Sequence, residues 1–306
     1  MKKIKLGHSQ LEVPEIGLGC MRITSLDRAG AEHLIRTAME QGVNFFDHAD
    51  IYGGGESEAL FAEAVGMNDA LREQMILQTK CAIRPGVCYD FSKEYIVSSM
   101  EGSLRRLKTD YVDILLLHRP DALMEPEEVA EAFQQLADSG KVRRFGVSNH
   151  NPYQIALLNK YCGGKVEINQ LQFSLAYAGI VDAGLNVNAN NEAGLDRDGD
   201  VLGYCRLNDI TIQAWSPFQA ENGVGVFLGN PAFEELNRKI AELAEKYHVS
   251  DNAIAIAWIL RHPAKIQPIV GTTNAARFVD ICKASEVCLT REEWYELYLA
   301  AGRRLL

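Results

Sequence analysis

The sequence predicts one α/β domain, residues 1–306, folded as a (β/α)8 TIM barrel with long loops on its C-terminal face and extra helices. Apolar, strand-like runs alternate with helical patterns along the whole chain, the signature of a parallel sheet covered by helices. Eight such runs can be read, and eight strand–helix units in about 250 residues plus insertions match the barrel. No linker or break in composition divides the chain as a doubly wound sheet with a second domain would require.

The first run is EIGLGCM (15–21). Its GLG is too little for a dinucleotide loop, and a barrel needs none. The helical stretch RAGAEHLIRTAMEQG leads to the second run, VNFFD (43–47), and Ser57 with Glu58 is expected to open the next helix. After the third run, MILQTK (75–80), Ser92 is the expected N-cap of SKEYIVSSMEGSLRRLK. The fourth run, VDILLLH (112–118), is almost continuously apolar, as befits a strand covered on both faces. Pro126 and acidic residues mark the first turn of the following helix, and Gly140 follows its last. RFGVSN (144–149), VEINQL (166–171), TIQAWS (211–216) and IQPIVG (266–271) complete the eight. Phe233, Leu236, Ile240, Leu243 and Tyr247 share one face of a helix between the last two runs. A second helix, AIAIAWILRHP, lies in the same interval, so one of the two is extra, as is the tail TREEWYELYLAAGRR. The least regular segments, 82–91, 175–200 and 216–231, follow runs three, six and seven. They therefore fall on the C-terminal face, where long loops carry function.

Composition narrows the partners. The chain is 47% hydrophobic and 24% charged, enough to bury a sizeable core. A net charge of −10 argues against a nucleic-acid or anionic-membrane surface. The start does not read as a signal peptide and no run is long enough to span a bilayer, so a cytoplasmic protein is expected. Seven scattered cysteines without a CxxC imply reduced thiols and no metal site.

The stretch FFDHADIYGGGESE (45–58) places chemistry at a strand end. Asp47 ends run two, Tyr52 lies in its loop, Lys80 ends run three and His118 ends run four. Singly, these are a cap, a rim aromatic, a surface partner and a core histidine. Together they face one barrel mouth, where catalysis is assembled. A phenol titrates near pH 10 and needs tuning to move protons at neutral pH. An ammonium about 4 Å away contributes roughly 4 kcal/mol at an effective dielectric of about 20, or about three pKa units. Asp47 would hold that charge in place, and His118 would orient and polarise a carbonyl.

These residues resemble a known family. Asp47–His48–Ala49–Asp50–Ile51–Tyr52–Gly53 is similar to the D-[TS]-A-x-x-Y-G segment of the aldo-keto reductases. QTK with Lys80, LLLH with His118, KVRRFGVSNH, INQLQFS, QAWSPF and IVGTTNAARF match later signatures in order, across essentially the whole chain. DHADIYGG looks most like a bacterial subgroup. The resemblance implies NADP-dependent reduction of a small carbonyl substrate by a monomer, with NADPH preferred over NADH. It implies Tyr52 as acid-base, with Lys80, Asp47 and His118 assisting. Ser148, Asn149 and Gln170 would bind the carboxamide, Trp215 would stack on the nicotinamide, and Gly19, Cys20 and Met21 would border it. Ser216, Pro217, Phe218 and the loop SPFQAENGVGVF would embrace the pyrophosphate. Gly271, Thr272, Thr273, Asn274 and Arg277 would take the adenosine end, Arg277 suiting a 2′-phosphate. Two positions depart from the pattern: His48 replaces a small hydroxyl, and Gly271 stands where many members keep a lysine.

DRDGD (196–200) reads as a glycine turn with Asp200 capping the next helix, since a calcium loop would need a closing Glu. Cys81 reads as a buried, inert thiol, and Trp258 and Trp294 as core. Arg22 and Arg84 are candidates for an anionic substrate group. Two other functions compete: a Schiff-base lyase using Lys80, and a cofactor-binding redox sensor or regulatory subunit with slow turnover.

Overall fold

The computed structural model describes residues 1–221 and 224–305. Each predicted run forms one strand, with ends shifted by one or two residues in either direction: β1 (Gly17–Gly19), β2 (Phe45–Asp47), β3 (Ile76–Cys81), β4 (Val112–Leu117), β5 (Val142–Ser148), β6 (Val166–Gln172), β7 (Thr211–Trp215) and β8 (Gln267–Val270). Neighbours pair in parallel in chain order, and β8 pairs with β1 to close the ring. Closure leaves no sheet edge.

Alternation along the strands stratifies the interior, because inward side chains recur every second residue. The lowest layer is apolar: Phe45, Ile76, Ile114, Leu116, Ile168 and Ile269 pack with Leu6 and Val13. The last two belong to an N-terminal hairpin, Lys3–Lys5 paired with Glu12–Pro14, and its turn. The sequence reading missed that hairpin. It plugs the barrel floor, where the amide of Gly7 donates to Thr211 Oγ1 at 2.6 Å.

The helices follow their local signals. Ser92 accepts from the amide of Tyr95, Pro126 sits in the first turn of Pro126–Asp138, and Gly140 turns the chain at φ +73°. Asp200 accepts from the amide of Gly203, and Asp196 gathers the amides of Asp198, Gly199 and Asp200, as a glycine turn requires. The extra helix Glu234–Tyr247 buries Leu236, Ile240 and Leu243. In Asp251–Leu260 every residue from Ala253 to Ile259 is buried. Trp258 there stacks on Trp294 with centroids 4.8 Å apart, and each indole N–H donates to the other's backbone oxygen at 3.1 Å.

Two expectations change. The helix after β2 is Glu56–Val65, entered from Gly55 at φ +99° without a side-chain cap. Three positive-φ glycines, Gly53 to Gly55, swing its first turn against the barrel. Ser57 and Glu58 are therefore buried: Ser57 donates to the Cys20 carbonyl at 2.7 Å, while Glu58 accepts from Thr79 at 2.6 Å and from Arg106 at 2.8 Å. The segments 82–91, 175–200 and 216–231 are also more ordered than expected. The first contains a hairpin (Ile83–Arg84 with Cys88–Tyr89), the second a helix (Gly179–Leu185). The third folds back through Ala220 N–H to Gly225 O at 2.9 Å and Phe227 N–H to Phe218 O at 3.1 Å. Residues 222 and 223 of the expected pyrophosphate loop lie outside the described residues. Among the described residues no helix is long and apolar enough to cross a membrane.

The interior tolerates little extra volume. A Cβ at Gly146 on β5 would lie 2.7 Å from Leu116 Cδ2 and 2.8 Å from the backbone oxygen of Ile168. Backbone on a neighbouring strand cannot swing away as a side chain can. Gly146→Ala is expected to destabilise the protein by about 1–3 kcal/mol in urea denaturation. Unchanged stability would show slack that the close packing denies.

Candidate active site

Above the apolar layer the alternation becomes polar. Along β3, Ile76, Gln78 and Lys80 follow one another up the inward face. Gln78 donates to Asp47 Oδ1 at 2.6 Å and to Gln213 Oε1 at 2.8 Å. Gln170 donates to the same two acceptors at 3.1 and 3.0 Å. Gln213 returns bonds to Gln78 and Gln267, and Gln267 donates to the Pro14 carbonyl. Both ends of the Gln213 amide are thus used twice, the most a carboxamide can do. Of these four glutamines the sequence reading named only Gln170. A glutamine at an inward position of an otherwise apolar strand is the signal that marks the other three.

Asp47 collects this layer and passes it upward. Lys80, fully buried, donates to both oxygens of Asp47 at 2.7 Å, to the His48 carbonyl at 2.9 Å and to Tyr52 Oη at 3.1 Å. An ammonium only donates, so the phenol accepts this bond and its own O–H is free to point elsewhere. Burial pulls the Lys80 pKa down, but Asp47 and Tyr52 carry it above its ordinary value. The tuning expected for Tyr52 is reversed: burial pushes the phenol above its ordinary value, and the Lys80 charge does not overcome it. The phenol is held protonated, ready to donate.

His118 follows β4 on the same inward parity as Ile114 and Leu116. Its ring lies edge-on to Tyr52 with centroids 5.9 Å apart. Burial, reinforced by Lys80 and Arg119, lowers its pKa to about 2, so the imidazole is neutral. Its Nδ1 is buried with no partner, and Nε2 is engaged by no hydrogen bond among the described residues. Asp47, Tyr52, Lys80 and His118 thus converge on one point, as predicted from the strand ends.

The other predicted residues form an arc around that point. Trp215, half-buried, donates from Nε1 to Asn149 Oδ1 at 3.0 Å. The Asn149 amide donates to Ser148 Oγ at 2.8 Å, and Ser148 donates to the Gln170 carbonyl at 2.8 Å. Asn149 and Ser216 adopt left-handed backbone (φ 61° and 50°), as does Ala82 (φ 81°). All three directly follow barrel strands on the mouth side, where strained conformations gather at functional sites. Ser216, Pro217 and Phe218 begin a loop pinned to the barrel by Ser174 Oγ donating to the Gln219 carbonyl at 2.6 Å. Gly19 ends β1 beside Asp47, the amide of Cys20 after it donates to the Asp47 carbonyl, and Met21 is exposed. Beyond β8, Asn274 caps the helix Ala275–Cys282 by accepting from the amide of Arg277, and Thr272 Oγ1 accepts from the amide of Asn274. The Arg277 side chain is exposed, and Thr273 is half-buried.

Some candidates are engaged elsewhere. Arg22 donates to the Gly271 carbonyl at 3.1 and 2.7 Å, which fixes its guanidinium without neutralising it, and Arg84 pairs with Asp90 at 3.2 Å. Arg119, absent from the sequence reading, also reaches the site: its Cζ lies 5.7 Å from the Trp215 ring centroid. His48 turns its ring outward, edge-on to Phe61 at 4.6 Å, with both nitrogens lacking partners among the described residues. Burial lowers its pKa to about 3, and only its carbonyl touches Lys80. Cys20 and Cys81 are buried free thiols whose pKa burial drives well upward, which makes both inert.

A profile described as "Aldo/keto reductase family" matches residues 15–298. A 6-dehydroglucose reductase of Novosphingobium aromaticivorans is 37% identical, covering 98% of this chain and 96% of its own. The uncharacterized oxidoreductase YcsN of Bacillus subtilis is 36% identical over 98% of each chain. Among solved structures, an aldo/keto reductase of Klebsiella pneumoniae in complex with NADP and acetate superimposes with a TM-score of 0.79 at 25% identity, covering 100% of this chain and 98% of that one.

Four histidines, two buried and two half-buried, give the fold a pH dependence. His48, His118, His150 and His262 are lowered, chiefly by burial, to about 3, 2, 4 and 4. An unfolded chain takes up these protons from about pH 6.5 downward while the fold refuses them, so stability is complete above that pH and lost below it. Asp50 acts oppositely: burial and Glu58 raise it to about 7, so its contribution is lost as pH rises. Four groups against one leave a net loss on acidification, about 1.4 kcal/mol per pH unit for each net proton. Urea denaturation should show lower stability at pH 5 than at pH 7. Equal stability at both would contradict the neutral histidines.

Proposed function

The chain belongs to the aldo/keto reductase family, and from that premise we propose that it reduces an aldehyde or ketone to an alcohol with NADPH, Tyr52 supplying the proton. The observation that carries this reading is the one-way bond from Lys80 to Tyr52 Oη, which leaves the phenolic proton for a carbonyl oxygen. Bound nicotinamide would supply the hydride to the carbonyl carbon. His118, neutral, would donate from Nε2 to the same oxygen and fix its direction. As charge grows on that oxygen, Tyr52 releases its proton and Lys80 stabilises the phenolate left behind, held in place by Asp47.

The residues present suit the cofactor. The Gln170 amide nitrogen is committed to Asp47 and Gln213, which leaves its carbonyl for a carboxamide N–H. Trp215 offers a half-buried ring face, and Arg277 an exposed guanidinium at a helix start for a 2′-phosphate. The Schiff-base alternative is disfavoured, because Lys80 would have to lose a proton that Asp47 and Tyr52 hold in place. The substrate named in the Novosphingobium relative, 6-dehydroglucose, belongs in any first panel of carbonyls.

Two outcomes test the reading. Tyr52→Phe should slow single-turnover reduction by at least about a hundredfold while NADPH binding stays within about threefold. Lys80→Met should be nearly as slow, and the double variant scarcely slower than Tyr52→Phe alone, because Lys80 acts through the phenol. A Tyr52→Phe enzyme working at the parental rate overturns the mechanism. For the cofactor, Arg277→Ala should narrow the gap between NADPH and NADH binding by about 1.5–3 kcal/mol, read by fluorescence titration. Equal binding of both cofactors by the parent would remove Arg277 from the site.

A further inference from the structure

Arg119 has no task in the chemistry above. It directly follows His118, it is half-buried, and its guanidinium lies 5.7 Å from the centre of the Trp215 ring. Among the described residues it forms neither an ion pair nor a hydrogen bond, in a protein with 41 acidic side chains. The nearest carboxylate along the chain, Asp121, forms no ion pair with it: its oxygens accept from the amides of Phe91 at 2.9 Å and Leu123 at 2.8 Å. Lys80, by contrast, is neutralised by Asp47. The uncompensated charge at this side of the mouth therefore belongs to Arg119. A half-desolvated guanidinium without a counter-ion is costly unless something anionic completes it.

The cofactor's phosphates do not fit that role. The proposed phosphate residues follow β7 and β8, three and four strands from β4 in the ring, whereas the Arg119 guanidinium reaches the ring of Trp215, where the proposed reading puts the nicotinamide rather than the phosphates. What remains beside His118 and Tyr52 is the space of the substrate. Resting on the proposed reductase reading, we infer that Arg119 is the specificity-determining residue and that the substrate is a carbonyl compound bearing an anionic oxygen group, a carboxylate or a phosphate. The planar fork of the guanidinium takes two oxygens of such a group, while Tyr52 and His118 hold the carbonyl. Arg22 and Arg84, the arginines predicted for this task, are tied to Gly271 and Asp90.

The test compares charged and neutral substrates of matched length: succinic semialdehyde against butanal, and glyceraldehyde 3-phosphate against glyceraldehyde, each with NADPH. The parent should favour the charged member of one pair by about tenfold to a hundredfold in kcat/KM, carried in KM, and the pair that shows it separates carboxylate from phosphate. Arg119→Gln should erase that preference and leave the neutral member within about threefold, which also shows that the variant folds; Arg119→Lys should restore part of it. No preference in the parent, or equal losses on both members in Arg119→Gln, overturns the inference. If the parent reduces none of the four and not 6-dehydroglucose either, the reductase reading has failed. The inference is then judged by titrating succinic semialdehyde and glyceraldehyde 3-phosphate into the NADP-loaded protein and following tryptophan fluorescence. At least one of the two should bind the parent about tenfold more tightly than it binds Arg119→Gln, and equal affinity for both overturns the inference.

Discussion

The bonded pair of Asp47 and Lys80 governs how the mouth of this barrel is built. Two opposite charges with 4% and 0% exposed side chains would be a liability in an apolar interior. Here each is surrounded by groups that complete it. Asp47 accepts from Gln78 and Gln170 as well as Lys80, and Lys80 donates also to a backbone carbonyl and to Tyr52. Removing either partner would leave a buried charge uncompensated, so the two depend on each other and on the glutamines below.

That dependence explains the layering. An apolar floor sealed by Leu6 and Val13 excludes water from beneath, and a layer of carboxamides separates it from the charges. Carboxamides suit the intermediate layer because each can donate and accept, which allows bonds to run around the ring without adding charge. The backbone bends to the same end. Ala82, Asn149 and Ser216 take left-handed conformations where the strands after which they follow open onto the mouth. In two of these cases the neighbouring residues are then tied: Asn149 to Ser148 and Trp215, and the loop after Ser216 to Ser174.

Uncharged imidazoles are a second consequence of a dry interior. His48 and His118 both lie near Lys80, and burial followed by that positive charge lowers each of them. His48 replaces a small hydroxyl beside Asp47, yet its ring packs on Phe61 and contributes only its carbonyl to the site. The departure from the family pattern is absorbed by packing outside the barrel wall. Asp50, two residues on, is raised to about 7 by the same desolvation, with Glu58 adding to it.

Much of this was legible in the sequence. Eight alternating runs, the caps at Ser92 and Asp200, and the placing of Asp47, Lys80, His118 and Trp215 at strand ends all follow from local rules, because side-chain parity along a strand and the geometry of a helix start need only adjacent residues. What folding in three dimensions decided was which distant groups meet. Gln78 and Gln213 are 135 residues apart and bond to one another, and nothing near either position signals the partner. Ser57 and Glu58 read locally as a helix start and became buried ligands of Cys20, Thr79 and Arg106 once three glycines turned the chain inward. Arg22, Arg84 and Arg119 are indistinguishable as charges in the sequence. Whether a cation is spent or free depends on carboxylates and carbonyls brought to it from elsewhere, a property of ring closure rather than of any local segment.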